Sequence, residues 1–362
     1  MDFTEKFGGK IKKVAETLRA KRKKTMSDAT KQDHQMRKKQ KTQTEPSKET
    51  NEGDSGKKTP RIMAQCGGYY ILDFHERAEH VLDVMVDATK SGYHILKNNG
   101  TAVDAVEKTV SLLEDSEYFN AGYGSLLNVK GEVECDAMIM DGFTLDTGAV
   151  MGAQRFKNPV SISRKIMEET PHCALTGEGA WEFAQSKGFE TCRPKDLISD
   201  DVTTEPEKFE VFVKQHFTGS KDTVTAIALD SYGHFACATS TGGIPGKLKG
   251  RIGDAPLVGC GGYANEYGAA GTSGHGEALM KMTLAREVVY NMENGQNAQE
   301  STKNAVQKLE KRIRGWGSAI AIDRKGNFGK ATNSPVMLWA QIVDDSVEYG
   351  HERKRKIDCK KE

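Results

Sequence analysis

A threonine that follows an aspartate at the start of an apolar stretch is the residue with the clearest chemical potential in this sequence. Asp222 ends a charged, turn-rich segment (193–222), and the run TVTAIALD (223–230) that begins with Thr223 is typical of a buried strand. Cleavage between the two residues would give Thr223 a free α-amino group, whose unperturbed pKa of about 7.7–8.0 suits a base at neutral pH. A threonine hydroxyl paired with its own N-terminal amine is an activated nucleophile. Asp222–Thr223 is therefore the candidate cleavage site and Thr223 the candidate catalytic residue.

Glycines are concentrated on the C-terminal side of this threonine. Residues 242–276 contain 12 of the 37 glycines, and GTSGHG (271–276) leads into a predicted helix that begins at Glu277. Glycine lets backbone N–H groups approach a ligand closely, and a helix N-terminus adds unpaired N–H groups. The segment could bind a phosphate, a carboxylate or an oxyanion. A nucleotide loop is disfavoured because no GK[ST] or GxGxxG pattern is present, and a tightly packed turn is the structural alternative.

An arginine and an aspartate lie three residues apart within the same region, in the stretch GRIGDAP (250–256). Arg251 could bind a carboxylate through two parallel hydrogen bonds, while Asp254 could bind an ammonium group. This pattern is typical of a clamp for the opposite charges of one zwitterion. From these two residues alone, the alternative is a surface ion pair, which contributes little stability.

Composition and charge exclude several classes of protein. The 362 residues have a formal net charge of +1, but residues 1–60 carry +8 and residues 351–362 carry +3, which leaves −10 for 61–350. No apolar run approaches the ~18 residues of a membrane span, and the N-terminus lacks the apolar core of a secretory signal. The seven cysteines are scattered without a CxxC, and the nine histidines show no metal-ligand spacing. We therefore expect a reducing compartment and no cofactor.

The elements that must position these residues mix helices with strand pairs. Thr101 and Asp104 predict a capping box at the start of a helix. Two similar segments, AIALDSYGHFACATS (226–240) and AIAIDRKGNFGKATN (319–333), match at eight of fifteen positions, and each predicts a β-hairpin. Further helices are predicted at 74–98, 162–168, 178–187 and 277–293. Because strict βαβ alternation is missing, we expect an α+β fold with packed antiparallel sheets.

Several motifs occur in an order that resembles one known family, the isoaspartyl peptidase/L-asparaginase family, or plant-type asparaginases. They are threonine-type N-terminal-nucleophile hydrolases. The TSTGG run (239–243), rather than TSTNG, favours this branch over the lysosomal glycosylasparaginases. The resemblance extends over about 62–345. The motifs that carry it are AVDAVE (102–107), FNAGYGSLLN (119–128), DAMIMDG (136–142), TVTAIALD (223–230), ATSTGG (238–243), GRIGDAP (250–256), GCGGYA (259–264) and GHGE (274–277).

The resemblance implies a fold and a mechanism. The expected fold is a four-layer αββα sandwich with two packed antiparallel sheets. Thr223 would be the nucleophile exposed by autocatalytic cleavage after Asp222, Thr241 would assist it, and Ser273 with Gly274 would stabilise the oxyanion. The expected substrates are the side-chain amide of L-asparagine and the β-peptide bond of isoaspartyl peptides.

The resemblance also implies the residues that contact the substrate, with its carboxylate on Arg251 and its ammonium on Asp254. The substrate-binding set is Asn120, Arg251, Ile252, Gly253, Asp254, Ser273, Gly274, His275 and Gly276. A structural sodium loop is implied at 113–121, with Leu113, Glu114, Phe119 and Ala121; no catalytic metal is implied.

The sequence departs from the family pattern near the expected site. Cys66 and Tyr69 stand in QCGGY (65–69) where the family has HGGxG, and Thr225 replaces the usual glycine two residues after the nucleophile. Ser273 replaces a threonine. These departures support an alternative hypothesis, a weak or inactive paralogue acting as a binding or scaffold protein. A taspase-like endoprotease, which would cleave a folded protein after aspartate, is a third hypothesis.

The resulting organisation has a basic disordered extension (1–60), a hydrolase domain (61–350) and a basic C-terminal tail (351–362). The domain divides into an α-chain part (61–222), which ends in a mobile linker (about 193–222), and a β-chain part from Thr223. Basic clusters at 21–24 and 37–39 have the spacing of a bipartite nuclear-import signal, so we expect a cytoplasmic or nuclear protein. Expected partners are a small-molecule or short-peptide substrate and a second αβ unit in a homodimer, with no membrane; the sequence does not favour nucleic acid.

Overall fold

The fold is described from a computed structural model, which covers residues 57–67, 74–200, 223–353 and 356–361. The predictions for the first 56 residues, for Tyr69, for most of the linker and for Asp222 lie outside the described residues. The strands are β1 (Arg61–Gly67), β2 (Cys135–Asp141), β3 (Thr147–Ala153), β4 (Ala174–Thr176), β5 (Val224–Leu229), β6 (Phe235–Thr241), β7 (Gly262–Asn265), β8 (Gly268–Gly274), β9 (Gly317–Asp323), β10 (Phe328–Thr332), β11 (Val336–Val343), β12 (Ser346–Arg353) and β13 (Lys356–Lys361). The α-helices are α1 (Phe74–Lys97), α2 (Ala102–Glu114), α3 (Pro159–Glu169), α4 (Gly177–Ser186), α5 (Gly276–Met282), α6 (Leu284–Glu293) and α7 (Ala298–Ile313).

The strands form two sheets. The large sheet has the order β13-β12-β11-β1-β5-β6-β2-β3-β4, and the small sheet has the order β10-β9-β8-β7. The pairings are antiparallel, except that β4 runs parallel to β3 at one edge of the large sheet. The candidate nucleophile lies immediately before β5, near the centre of the large sheet.

Three apolar clusters show that the fold has four layers. One cluster joins α1, α2 and α3 to the outer face of the large sheet, through residues such as Met85, Val106 and Ile162. A second fills the space between the sheets, where Met63 and Trp339 of the large sheet meet Ile320 and Ile322 of the small sheet. In the third, α5, α6 and α7 cover the other face of the small sheet. The predicted α+β sandwich with its αββα layers is confirmed.

Strand alternation explains why both sheets are apolar on both faces. In β9, Ile320 and Ile322 point into the space between the sheets, whereas Ala319 and Ala321 pack against the helices. Successive side chains of a strand point to opposite faces, so a strand covered on both sides reads as a continuous apolar run. The small alanines allow the helices to approach the sheet closely.

The two similar sequence segments form the two predicted hairpins, one in each sheet. β5 pairs with β6 in the large sheet, and β9 pairs with β10 in the small sheet. Asp230 at the first turn accepts the backbone N–H groups of Tyr232 and His234 and, at 3.1 Å, that of Ala102 at the start of α2. Asp323 likewise accepts the N–H groups of Lys325 and Asn327 in its own turn and that of Ala298 at the start of α7. Each aspartate therefore ties a hairpin turn to the N-terminus of the helix that covers it.

The predicted helix over 277–293 is wrong in one respect. The segment forms two helices, α5 and α6, separated at Thr283, whose φ of +45° lies in the left-handed region. Leu279 of α5 and Val288 of α6 both reach the core beneath the small sheet. No glycine or proline marks the break, which explains why the sequence pattern did not predict it.

The sheet continues beyond the expected end of the domain at 350. Strand β12 runs to Arg353, and Lys356–Lys361 pairs with it as the edge strand β13. The basic stretch placed in a tail therefore includes sheet residues.

Candidate active site

Thr223 lies where the two sheets meet, directly before β5. It is 4% exposed, and its backbone nitrogen donates a hydrogen bond of 3.1 Å to the hydroxyl of Ser273 on β8 of the opposite sheet. A hydroxyl group that accepts one hydrogen bond still has a proton to donate. The structure thus brings the candidate nucleophile together with the candidate oxyanion residue, although 50 positions separate them in the chain.

Thr225 points into the same space between the sheets, two residues further along the strand. Its hydroxyl donates to the carbonyl oxygen of Thr272 at 3.2 Å. Its methyl group fills the space that a side chain at Gly271 would need, since a Cβ there would lie 2.0 Å from Thr225 Cγ2. The side chain that replaces the usual family glycine is therefore accommodated by a glycine on the facing strand.

Thr241 ends β6 beside Thr223, because the β5–β6 register pairs Val224 with Ser240. Its hydroxyl accepts a hydrogen bond of 3.0 Å from the N–H of Gly243. Asn120 holds the same turn from the other side. Its carbonyl oxygen accepts the N–H of Gly242 at 2.7 Å, and its side-chain amide donates to the carbonyl of Gly243 at 2.6 Å. A Cβ on Gly242 would lie 2.4 Å from Asn120 Oδ1, so this position requires glycine.

The glycine-rich region encloses the guanidinium of Arg251. A Cβ at Gly253 or Gly276 would lie 2.7 Å from a guanidinium nitrogen, and one at Gly243 would lie 3.4 Å from Nη1. Nε and Nη2 donate to the Glu277 carboxylate at 3.0 and 2.9 Å. From the sequence, these glycines were expected to let backbone N–H groups approach a ligand. In the structure, several of them leave room for a charged side chain instead.

Asp254 lies beside this arginine and is 3% exposed. Its Oδ2 is buried without a hydrogen-bond partner among the described residues. Burial raises the pKa of this carboxyl group from 3.8 to about 7, with the positive charge of Arg251 acting in the opposite direction. A buried carboxylate oxygen without a partner can accept an ammonium group, while Nη1 of the neighbouring Arg251 is left for a carboxylate.

Of the remaining predicted residues, Gly274 and His275 lie at the end of β8, and Ile252 lies in the loop that carries Arg251. Gly274 ends β8 at a φ of +146°, and a Cβ there would lie 2.5 Å from Gly317 Cα. The N–H of His275 donates to the carbonyl of Trp316 at 3.1 Å, and the His275 and Trp316 rings stack with centroids 6.2 Å apart. Ile252 is half-buried between Arg251 and Gly253.

In the segment of the expected sodium loop, two glycines with positive φ lie close to backbone carbonyl oxygens. Gly122 and Gly124 have φ values of +55° and +105°. A Cβ on Gly122 would lie 2.4 Å from the Glu114 carbonyl oxygen, and one on Gly124 would lie 2.8 Å from that of Phe119. Carbonyl oxygens are ligands for monovalent cations, so these two groups are the candidates for holding such an ion. Ala121 lies between these residues, with its N–H bonded to the Phe119 carbonyl.

Four residues of the site were not assigned a role from the sequence: Gln65, Asp136, Lys247 and Glu277. Gln65 on β1 donates its side-chain amide to the carbonyl oxygen of Gly271 at 3.1 Å. Glu277 belongs to the GHGE motif, but nothing in the motif indicates that it pairs with Arg251. A single sequence carries no signal for such contacts between distant segments.

Comparison with known proteins places this geometry in a family. Residues 58–351 match the family model described as Asparaginase. The chain belongs to the asparaginase family. This is a family of N-terminal-nucleophile hydrolases, in agreement with the two packed sheets and their covering helices.

The alignments with individual relatives extend over nearly the whole length of each relative. The isoaspartyl peptidase/L-asparaginase of Danio rerio is 43% identical over 298 residues, which are 80% of this chain and 94% of that protein. The protein of the same name from Homo sapiens is 41% identical over 300 residues, or 80% and 96% of the two chains. The plant-type L-asparaginase of Thermococcus kodakarensis is 39% identical over 300 residues, which are 78% of this chain and 97% of that protein. Among the described residues, no helix is both long and apolar enough to span a bilayer.

Proposed function

We propose that this protein is an autoprocessed threonine hydrolase that cleaves the side-chain amide of L-asparagine and the β-peptide bond of isoaspartyl peptides. The observation that supports it most is the contact between the Thr223 nitrogen and the Ser273 hydroxyl, together with the half-buried Arg251 and the buried Asp254. The relatives' names point to the same two substrates.

The first step of the proposed mechanism frees the nucleophile. Thr223 Oγ attacks the carbonyl carbon of Asp222, the C–N bond breaks in an N→O acyl shift, and water hydrolyses the resulting ester. The new α-amino group of Thr223 then stands 3.1 Å from the Ser273 hydroxyl, at the position of the present amide nitrogen. In this position the amine can take the proton of its own hydroxyl.

Turnover repeats the same chemistry on a substrate. Arg251 binds the substrate's α-carboxylate and Asp254 binds its α-ammonium group, which presents the side-chain carbonyl to Thr223 Oγ. The Ser273 hydroxyl and the Gly274 N–H stabilise the oxyanion. The C–N bond then breaks, the Thr223 ammonium returns a proton to the departing ammonia or peptide amine, and water hydrolyses the acyl-enzyme.

One residue, Asn120, holds the second threonine in place. Asn120 fixes the turn after Thr241 through hydrogen bonds to both following glycines. A sodium ion on the carbonyl oxygens of Glu114 and Phe119 would brace the loop that carries Asn120.

The homodimer of αβ units and the cytoplasmic or nuclear location remain predictions.

A denaturing gel tests autoprocessing. The wild-type protein should yield fragments of residues 1–222 and 223–362, whereas Thr223→Ala should remain intact because it lacks the attacking hydroxyl. Thr302→Ala is a matched control, since Thr302 is a buried threonine whose hydroxyl bonds within α7. This control should be processed like the wild type.

The second measurement is aspartate release from L-asparagine and from an isoaspartyl dipeptide. Release that depends on Thr223 supports the proposal. An intact wild-type chain without aspartate release would favour a non-enzymatic paralogue instead. Cleavage of a folded protein after aspartate, with no activity on the small substrates, would favour an endoprotease.

A further inference from the structure

A lysine that no step of the proposed mechanism uses is buried behind the substrate clamp. Lys247 is 1% exposed, and its ammonium group donates a 2.7 Å hydrogen bond to the carbonyl oxygen of Glu134. Burying an ammonium group is costly unless a negative charge compensates it. The carbonyl alone does not supply that charge.

The candidate for a compensating anion is Asp136 on β2, whose pKa the charge of Lys247 acts to lower. This residue is fully buried; its Oδ1 accepts the N–H of Gly152 at 2.9 Å, and its Oδ2 lacks a hydrogen-bond partner among the described residues. Burial raises the pKa of Asp136, while the charges of Lys247 and Arg251 act to lower it. Asp136 also lies directly opposite Thr241 in the β2–β6 ladder. The carboxylate thus lies within the field of both cations, next to the candidate site.

Lys247 and Arg251 share the space that Gly243 leaves free. A Cβ on Gly243 would lie 3.0 Å from Lys247 Nζ and 3.4 Å from Arg251 Nη1. Two cations this close repel each other in a buried environment, unless an anion neutralises them. Arg251 therefore adopts its position under the influence of three charges: Glu277, Asp136 and Lys247.

We propose that Lys247 is a positioning residue that neutralises Asp136 and thereby keeps Arg251 directed at the substrate carboxylate. Without the lysine, Arg251 is the remaining cation that favours the ionised form of Asp136, and the guanidinium would be drawn toward this carboxylate. The substrate carboxylate would then lose part of its binding site. This inference rests on the proposed function, because it assumes that Arg251 binds the substrate.

The test compares Lys247→Met, Asp136→Asn and the double variant in the processed enzyme. The control is Lys249→Met, because Lys249 is exposed and pairs with Glu132 on the surface. Lys247→Met should raise KM for an isoaspartyl dipeptide at least about tenfold, with a kcat change below about threefold, because a buried pair loses one partner. The double variant should recover most of the loss, since it leaves no uncompensated charge. Lys249→Met should match the wild type.

The recovery distinguishes charge compensation from packing, because Asp136→Asn cannot refill the space that a shorter side chain leaves. A Lys247→Met variant with an unchanged KM, or a double variant as poor as the single one, would overturn the inference. If Lys247→Met does not fold, the double variant alone decides: its KM should stay within about threefold of wild type.

Binding of L-aspartate, measured by calorimetry on the same variants, separates this inference from the proposed function. A wild type that binds aspartate without hydrolysing either substrate would refute the proposed function. The inference would still stand if Lys247→Met bound aspartate at least about tenfold more weakly and the double variant recovered. Equal aspartate affinity in all variants would refute the inference alone, and a wild type that neither binds aspartate nor hydrolyses either substrate would refute both.

Discussion

Replacing Asp254 by asparagine should stabilise the free protein while it removes the proposed ammonium site. The buried carboxyl group has a pKa of about 7 in the folded state and 3.8 as its ordinary value. Each unit of difference corresponds to about 1.4 kcal/mol. Holding Asp254 ionised above pH 7 therefore costs the folded protein up to about 4 kcal/mol, which the substrate's ammonium group would offset on binding.

The sign of the pH dependence follows from proton binding. Between about pH 4 and pH 7, the folded protein holds the Asp254 proton while the unfolded chain has already lost it. The destabilising contribution therefore grows as the pH rises through this window and is complete above pH 7. The stability gain of Asp254→Asn should be about 4 kcal/mol at pH 8 and about 2 kcal/mol at pH 5.

Urea unfolding of both proteins at pH 8 and pH 5, without ligand, measures this difference. Asp196→Asn is an informative control, because Arg193 lowers the pKa of Asp196 to about 2 and its removal should give no gain at pH 8. The reasoning is refuted if Asp254→Asn is less stable than wild type at pH 8, or if its gain is the same at both pH values. Aspartate release should be lost in Asp254→Asn at either pH.

Three further predictions concern the packing around the site. Gly271→Ala should destabilise the protein by about 1–3 kcal/mol in urea unfolding, because its Cβ meets the Thr225 methyl group; the double variant with Thr225→Gly should recover the loss, and equal stability of the single and double variants would contradict this. Gly242→Ala should lower kcat at least about tenfold by displacing Asn120, measured as aspartate release, and unchanged turnover would contradict the role of the turn. Asp323→Ala should cost about 1–3 kcal/mol of unfolding free energy, because it leaves the buried N–H of Ala298 and two part-buried N–H groups of the turn without their acceptor; a loss below about 0.5 kcal/mol would contradict it.

Local features were predictable because neighbouring residues decide them. The capping box of Thr101 and Asp104 forms with both of its hydrogen bonds, and Asn99 ends α1 with a φ of +62°. The two hairpins follow from apolar runs on either side of a DxxG turn. The order of short motifs was sufficient to identify the family, because each motif combines residue types that are rarely found together.

Features that depend on distant contacts were not predictable. The break at Thr283 has no sequence signal, because it serves the packing of two helices against one sheet. The pairing of Arg251 with Glu277 joins residues that are 26 positions apart. Lys247 looks like any other lysine in a loop, and its burial behind Arg251 depends on β2 and on the glycine at 243.

The sequence alone determined the residue types of the site: a threonine preceded by aspartate, an arginine and an aspartate three residues apart, and the glycines between them. Their spacing is encoded in short segments, so a single chain is enough to identify them. The tertiary structure decided what surrounds each charge. Burial raises the pKa of the Asp254 carboxyl group to about 7. Three glycines leave the space that the guanidinium of Arg251 occupies. These properties depend on which segments exclude water from the group, and that is settled only when two sheets and their helices pack together.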